Sequence, residues 1–470
     1  MAVSELPAWL NKPFQPSLEK FCRIEPPLSV KELEEVKALL VEKDTLNIAK
    51  AKVKGADGKP TGTFSASAAN ASGDHSASSM FGSWFRDNAL IAYGLYITDP
   101  DGPGADDAVA CISSIADFLL DSQTAKMELV IAGKKDVKGA EPTWMDRPHI
   151  RFIGATGKED PKWYNHKQND ALGYFLFTRC TLAIAGKMPF TGDHLKLVGQ
   201  LFDYLRAIEA WDDLDGGHWE EHSAQHASSV GPPLAAVRLF KQVCTTNGWL
   251  APCKTGTLDI LEEKLQEALN KILPNEIITP EEQFRDSDGA LIFLCYPLAV
   301  VDEEAGLKIL DRLKKVYGHI GVCRYRKDSY WCRDYKDTQD DPTKHFTDEE
   351  LKARDALLKP GEEAQWCLFD PMVSAYYGAL YQQTEKPEYL KFQQLFFSRS
   401  LAAITGDDCE FGPWLACEAY YLCKDKWVSN DDTPLVWTQA NILMAFHEMK
   451  KSLEIAKPTG VRKRPASEMS

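Results

Sequence analysis

The sequence predicts a single all-α domain, and three observations lead there. Apolar residues recur at helical spacing in about a dozen stretches, strand-like alternation is scarce, and neither a strong linker nor a repeat of fixed period divides the 470 residues. Length alone would allow one large domain or two to three ordinary ones, so the lack of a linker decides.

Taken in order, residues 1–27 are rich in Pro and aromatics and read as an extended arm lying on the domain. The first helix announces itself. Ser29 and Glu32 have capping-box spacing, Leu28 and Leu33 stand as a hydrophobic staple, and Leu33, Val36 and Leu40 continue the stripe. Residues 53–80, rich in Gly, Ala and Ser, read as a long loop ahead of Trp84. Helical spacing then returns near 87–97, 106–122, 170–186, 193–210, 233–244, 257–273, 287–299, 303–316, 346–358, 370–384, 387–404 and 434–453. The clearest of these carries Leu258, Leu261, Leu265, Leu269 and Ile272, with Thr257 as the expected N-cap and Pro274 closing it. The domain is expected to span 28–455, with 456–470 a disordered tail; its Val461-Arg-Lys-Arg-Pro-Ala-Ser467 run reads as solvated chain in preference to a kinase site or a nuclear address.

An apolar fraction of 44% and a mean hydropathy of -0.33 describe a soluble globular chain with a sizeable core. A net charge of -15 argues against nucleic acid and anionic membranes as partners, since both need clustered Lys and Arg. No run of about 18 uncharged apolar residues is present, so no membrane span is expected. The opening Met-Ala-Val-Ser-Glu-Leu-Pro-Ala-Trp has no basic region followed by an apolar one, so a cytoplasmic location is expected. The twelve cysteines form no Cys-x-x-Cys pair and are expected to be reduced, mostly buried thiols.

Chemistry concentrates where tryptophan stands beside charge: Trp84-Phe-Arg86-Asp87, Trp163 ahead of Asp170, Trp219-Glu220-Glu221, Arg324 to Asp328 with Tyr330 and Trp331, and Trp414 ahead of Glu418. A sugar ring offers an apolar face of C–H bonds and a rim of hydroxyls. A sugar site therefore needs aromatic platforms beside residues that hydrogen-bond at fixed angles, and Arg and Asp do so with the most strength. Glu220 and Glu221 are neighbours that point in different directions, so they cannot share a proton and must do separate jobs.

These segments carry a specific resemblance. Trp84-Phe-Arg-Asp-Asn-Ala-Leu90 resembles the Trp-x-Arg-Asp-x-x-Leu signature of glucoamylases, glycoside hydrolase family 15, and Trp219-Glu-Glu resembles their acid motif. Gly321-Val-Cys-Arg-Tyr-Arg-Lys-Asp328-Ser-Tyr is similar to their Arg-Tyr-x-x-Asp-x-Tyr segment. Glu418-Ala-Tyr with Pro434-Leu-Val-Trp437-Thr-Gln-Ala is similar to the stretch carrying their base. Gln168-Asn-Asp-Ala-Leu-Gly-Tyr174 also resembles the glucoamylase-like half of the phosphorylase kinase α and β subunits.

The resemblance implies an (α/α)6 barrel, with Glu220 as general acid and Glu418 as general base. It implies that Arg86 and Asp87 bind the non-reducing terminal glucose, that Arg324, paired with Asp328, contacts sugar hydroxyls, and that Glu221 holds the neighbouring unit. Trp84, Trp163, Asp170, Trp219 and Trp414 complete the expected substrate-binding set. The family uses neither a catalytic metal nor a cofactor, and a monomer acting on α-glucan or maltooligosaccharide is expected. Two departures stand out. Met80 occupies the place of a family tyrosine, and the tryptophan ahead of the Gln-x-Asp motif corresponds to Trp163 or Tyr164.

Hydrolysis of a glycoside needs one carboxyl protonated and one ionised. Trp219 beside Glu220 would supply an apolar wall that favours the protonated form. His218, His222 and His226 have helical metal-ligand spacing, but Gly216-Gly217 makes a turn there, and no metal is expected. The expected activity is that of an inverting exo-acting α-glucosidase. The alternatives are a non-catalytic glucan-binding regulatory module, or a trehalase.

Overall fold

Two kinds of helix alternate along the chain. The computed structural model describes residues 12–67, 82–138, 143–162, 164–221, 223–332 and 353–456. The expectations made for Met80, Trp163, His222, the first half of the 346–358 helix and the tail beyond Ala456 lie outside the described residues.

The first kind carries a single buried stripe, except that its last member is buried throughout from Gln393 to Ala402. It comprises α1 (Val30–Glu42), α3 (Pro103–Phe118), which runs through a wider turn at Leu119–Gln123 into α4 (Thr124–Ile131), α6 (Gly192–Ala207), α8 (Thr257–Ile272), α10 (Glu303–Leu313) and α12 (Pro387–Ala402). In α8 the stripe is the anticipated one, Leu258, Leu261, Leu265, Leu269 and Ile272. The second kind comprises α2 (Phe85–Thr98), α5 (Asn169–Ile184), α7 (Ala227–Asn247), the short α9 (Ile292–Cys295), α11 (Phe369–Thr384) and α13 (Val436–Ala456). These are buried on every side over their first turns; in α5 every residue from Asn169 to Cys180 is buried. A helix without an exposed face must sit inside other helices.

The packing closes a ring. α2 lies on α5, α5 on α7, α7 on α9, α9 on α11, α11 on α13, and α13 returns to α2. Each member of the first kind backs this ring from outside: α1 on α13, α3 on α2, α6 on α5, α8 on α7, α10 on α9 and α12 on α11. Among the described residues, six outer and six inner helices in alternation form the six-hairpin toroid of the (α/α)6 class. Where α5 meets α7 the backbones come so close that a Cβ on Gly173 would lie 2.5 Å from Cδ of Pro233 and 2.6 Å from Cβ of Pro232. Only glycine fits there.

Several local expectations change. The capping box at Ser29 and Glu32 is present, and Leu28 and Leu33 are both buried. The N-cap of α8, however, is Gly256 in the left-handed region at φ +76°, and Thr257 is the first helical residue, its hydroxyl donating to Asp203 Oδ1 at 2.7 Å. α7 begins six residues before the expected 233, because Pro232 and Pro233 mimic a helix start while sitting inside the helix. The expected 287–299 helix shrinks to two short turns over 289–295, since Pro297 cannot donate the backbone bond its interior would need. Within the presumed loop 53–80, Lys52–Lys54 pairs antiparallel with Pro60–Phe64. The arm includes a helical turn, Pro16–Phe21, whose Leu18 and Phe21 join α1, α12 and α13 in a second apolar cluster.

Two small antiparallel sheets brace the mouth of the ring. One joins β3 (Gly82–Trp84), β4 (Arg151–Ile153) and β5 (Lys158–Glu159), following the β1–β2 hairpin above; the other joins β6 (Gln365–Trp366), β7 (Ala419–Cys423) and β8 (Lys426–Ser429). Among the described residues no helix is long and apolar enough to cross a membrane.

Candidate active site

The inner helices all begin at one end of the ring, and the motif residues gather there. β3 delivers Trp84 to the N-cap of α2, so Arg86 and Asp87 fall in its first turn. Gln168 caps α5 and Asp170 sits in its first turn. Asp288 caps the turn leading to α9 through a 2.8 Å bond from the Ala290 amide. Trp366 on β6 pairs with Ala419 on β7, which sets Glu418 at the mouth; the Cys367 amide donates to its carbonyl at 2.8 Å.

The acid-motif loop precedes α7 and is closed by a bridge between Asp215 and Ala224. Asp215 is fully buried and accepts from the amides of Asn169 at 2.8 Å and Gly217 at 3.2 Å, tying this loop to the start of α5. Burial pushes its carboxyl up to about 6, with His226 opposing. Glu220 lies at φ +63°, a strained conformation for a residue with a side chain and one that is concentrated at functional sites.

Around Glu220 the partners are specific. Arg86 gives Nη1 to Glu220 Oε1 at 3.0 Å, Nε to Asp170 Oδ2 at 2.5 Å, and Nη2 to Gln168 Oε1 at 2.7 Å. The Tyr164 hydroxyl donates to the other Glu220 oxygen, and Gln168 Nε2 in turn donates to Tyr164 at 3.3 Å. Thus Arg86, expected at the sugar, also holds Glu220, while Asp170 anchors Arg86. The neighbouring Asp87 carboxyl is bonded by its own backbone amide, and no other side chain is seen to hydrogen-bond it among the described residues. Burial lifts its carboxyl to about 7, opposed by Arg86 and reinforced by Glu220 and Asp170.

Glu221 turns the other way. Its carboxylate accepts from Arg324 Nη2 at 2.9 Å, from Arg354 Nη2 at 2.8 Å and from the Tyr325 hydroxyl. Burial alone would raise it, but the two guanidinium groups hold it well below the usual carboxylate range. Arg324 is itself gripped by Asp328 in a two-pronged bond of 2.7 and 2.6 Å. Its guanidinium lies 5.1 Å from the ring centres of both Trp219 and Trp366 and 4.8 Å from that of Tyr330. The Trp219 indole donates to Asp288 at 2.9 Å and packs on Trp366 and Phe369. The polar contacts of Glu220 therefore come from Arg86 and Tyr164.

Glu418 accepts from Asn430 Nδ2 at 2.5 Å. Burial, then the like charge of Asp432, push its carboxyl well above the ordinary value, with Asn430 and Arg324 opposing and Asp87 adding to the rise. Asp87 thus feels both Glu220 and Glu418.

One expected residue among those described, Trp414, is not brought to this site. Trp414 sits at φ +67°, its ring against the second apolar cluster and 6.0 Å from Lys43 Nζ. The reversed backbone turns it toward the outer layer. Trp163 lies outside the described residues, and of the two candidates for that position Tyr164 is the one seen bonded to Glu220. Trp84 is adjacent without facing a carboxylate: its ring meets Tyr164 edge-on at 5.1 Å, with the Arg151 guanidinium 5.1 Å away. The histidines diverge, His218 stacking on Phe293 and His226 bonding Glu276 at 3.2 Å. Among the described residues no three His, Cys, Asp or Glu side chains gather as metal ligands.

Sequence reasoning missed Arg354, Asp288, Arg285, Asn430 and Asp432. Asn430 and Asp432 stand just ahead of the Pro434-Leu-Val-Trp437 motif, and a polar run there was the available signal. Arg285, 2.8 Å from Asp288, and Arg354 stand in no recognisable pattern.

Comparison with known proteins agrees with this fold. Over 230 residues, 46% of this chain, it is 25% identical to the phosphorylase b kinase regulatory subunit alpha, liver isoform, of Takifugu rubripes, spanning 17% of that relative's length. Its fold is similar to that of a wild-type glycosidase, with a TM-score of 0.58, 16% identity, and coverage of 90% of this chain and 99% of the other. It is similar also to the glucoamylase of Saccharomycopsis fibuligera, with a TM-score of 0.57, 12% identity, and coverage of 91% and 97%. The sequence model described as glycosyl hydrolases family 15 matches residues 43–386, ending ahead of Glu418. With Glu220, Arg324 and their partners inside that match and the toroid around them, this chain belongs to glycosyl hydrolase family 15.

Proposed function

We propose that this chain is an inverting, exo-acting α-glucosidase. Acting as a monomer, it removes terminal α-1,4-linked glucose from the non-reducing ends of glycogen, starch or maltooligosaccharides, releasing β-D-glucose. The observation that carries this reading is the contrast between the two adjacent glutamates. Glu221, clamped by Arg324, Arg354 and Tyr325, stays ionised and has no proton to give near neutral pH. Glu220, with 21% of its side chain exposed, is the carboxyl a leaving oxygen can reach. Glu220 protonates that oxygen while Glu418 takes a proton from water on the opposite face of the ring. Such a pair needs its carboxyls about 6.5–9.5 Å apart, to leave room for the water. Asp87, free of side-chain hydrogen bonds among the described residues, accepts from hydroxyls of the terminal glucose, and Glu221 from those of the unit across the scissile bond.

Incubation with maltotriose and glycogen, followed by NMR within the first minutes, tests this. β-Glucose is expected as the first product. α-Glucose would mean retention, early larger oligosaccharides an open cleft, and cleavage of trehalose in preference to maltotriose a trehalase. The similarity to a kinase regulatory subunit favours a second reading, glucan binding without hydrolysis. Under it, glycogen is retained and no glucose appears.

A further inference from the structure

A cavity of about 410 Å³ opens at the other end of the toroid, among the late turns of the inner helices. Tyr93 and Ile97 come from the last half of α2, Ala379 and Gln382 from the end of α11, and Glu448 and Lys451 from α13. Arg86 and Ile97 are eleven residues apart on one helix, as are Trp437 and Glu448, so at 1.5 Å per residue this space lies roughly 16 Å along the ring from the catalytic carboxyls. It is a separate site.

Its wall is built around one buried carboxylate. Glu448 is 4% exposed and accepts from Gln382 Nε2 at 2.7 Å, from the Tyr296 hydroxyl at 3.2 Å, and from Lys451 Nζ at 3.1 and 3.2 Å. The Tyr93 hydroxyl makes no hydrogen bond among the described residues. Burial, with the charge of Glu448 behind it, raises the Tyr93 phenol, and the same causes raise that of Tyr296, so both remain protonated donors. Gln383 at the rim is exposed and also unbonded among the described residues.

This chemistry selects its ligand. An anion would meet the Glu448 charge, and a cation would meet Lys451, which already neutralises it. A neutral molecule is left, and the wall offers it two phenol rings, two amides, a carboxylate edge and the imidazole of His447, which burial holds toward its neutral form. Small-molecule pockets occupy about 300–1,000 Å³, and this one is near the lower bound. We propose that the cavity is a second, non-catalytic binding site for a neutral pyranose, either a free hexose or the end unit of an α-glucan. The ring would lie against Tyr93 and Tyr296, with its hydroxyls on the Tyr93 oxygen, Gln382 and Gln383. The choice of sugar rests on the carbohydrate reading of the chain, while the site itself does not use Glu220 or Glu418.

Calorimetric titration of the full chain with glucose, and separately with maltotriose, tests the proposal. Maltotriose is titrated into the Glu220→Gln protein so that it is not consumed. Two classes of site are expected in the parent. Ala379→Phe, which fills the cavity without removing a hydrogen bond, is expected to abolish one class and leave glucose release from dilute maltotriose unchanged. Gln383→Ala, an exposed change that leaves folding intact, should weaken the same class roughly three- to tenfold, the range for one hydrogen bond. If glucose and maltotriose both bind, the site is for an end unit; if only glucose binds, it is for the free hexose. Isotherms that superimpose for the parent, Ala379→Phe and Gln383→Ala would overturn the site. Loss of hydrolysis with the second class of binding intact would overturn the enzymatic reading and leave this one standing.

Discussion

The environment of Glu418 gives a prediction with two opposite signs. As a base, Glu418 works only when ionised, and its carboxyl stands above the ordinary value because it is buried and faces Asp432. Activity is therefore expected to fall as pH drops through that raised value, on the acid limb of kcat/KM, which reports the free enzyme. Asn430 opposes the rise with a 2.5 Å bond to the carboxylate. A hydrogen bond to a charged group is worth about 1.5–3 kcal/mol, and a pKa unit is about 1.36 kcal/mol. With water replacing part of the bond, Asn430→Ala should move the acid limb up by roughly one pH unit. Asp432→Asn removes a like charge and should move it down, by an amount of about the same size.

Stability follows with a definite sign. A folded-state pKa above the unfolded value of about 4.5 gives stabilisation that is full below that value and is lost as pH rises through the raised one. The loss of stability between pH 4 and 7 that comes from Glu418 should therefore be smaller in Asp432→Asn than in the parent. The assay is the pH profile of kcat/KM on maltotriose for the three proteins, with urea unfolding at pH 4 and 7. Limbs that stay put in both variants, or that move the same way, would remove Glu418 from the role of base.

Glu220→Gln and Glu418→Gln should each stay folded and lose at least about 10²-fold in turnover; near-parental glucose release by either would clear that residue of its role. Gly173→Ala should destabilise the ring by about 1–3 kcal/mol, because the new methyl meets two rigid proline rings on α7, and an unchanged urea midpoint would show the helices free to separate. Activity should survive exhaustive treatment with a chelator; a loss restored by one particular divalent ion would bring the histidine reading back.

Helices were legible because apolar spacing is a local property of ten to twenty residues, and α8 shows it best. What hid the start of α7 was also local, two prolines in a place where prolines usually mark a boundary. The sheets escaped because their pairing is long-range: Trp366 meets Ala419 across more than fifty residues, and strands of two to five residues cannot show alternation. The same division runs through the site. Arg86 and Asp87, Glu220 and Glu221, and Arg324 and Asp328 lie in contiguous motifs and were found. Arg354 and Asp288 reach Glu221 and Trp219 only through the fold. Trp414 was misjudged because an aromatic near an acid says nothing of which way its backbone turns.

That every inner helix begins at the catalytic end has an electrostatic price. Each helix start carries roughly half a positive charge from its aligned peptide dipoles, so five full-length inner helices point about +2.5 charges at the mouth of the ring. The transition state of glycoside cleavage is itself cationic, and such a field would oppose it. Asp87, Asp170 and Asp370 in the first turns of α2, α5 and α11, and Asp288 at the start of the α9 segment, stand where they answer this field one helix at a time. Asp170, Asp288 and Asp370 are each also bound to a guanidinium, of Arg86, Arg285 and Arg399, so they answer the helix field only in part. Replacing one of these aspartates by asparagine would tilt the potential felt by a developing oxocarbenium ion even where the lost carboxylate never touches the sugar.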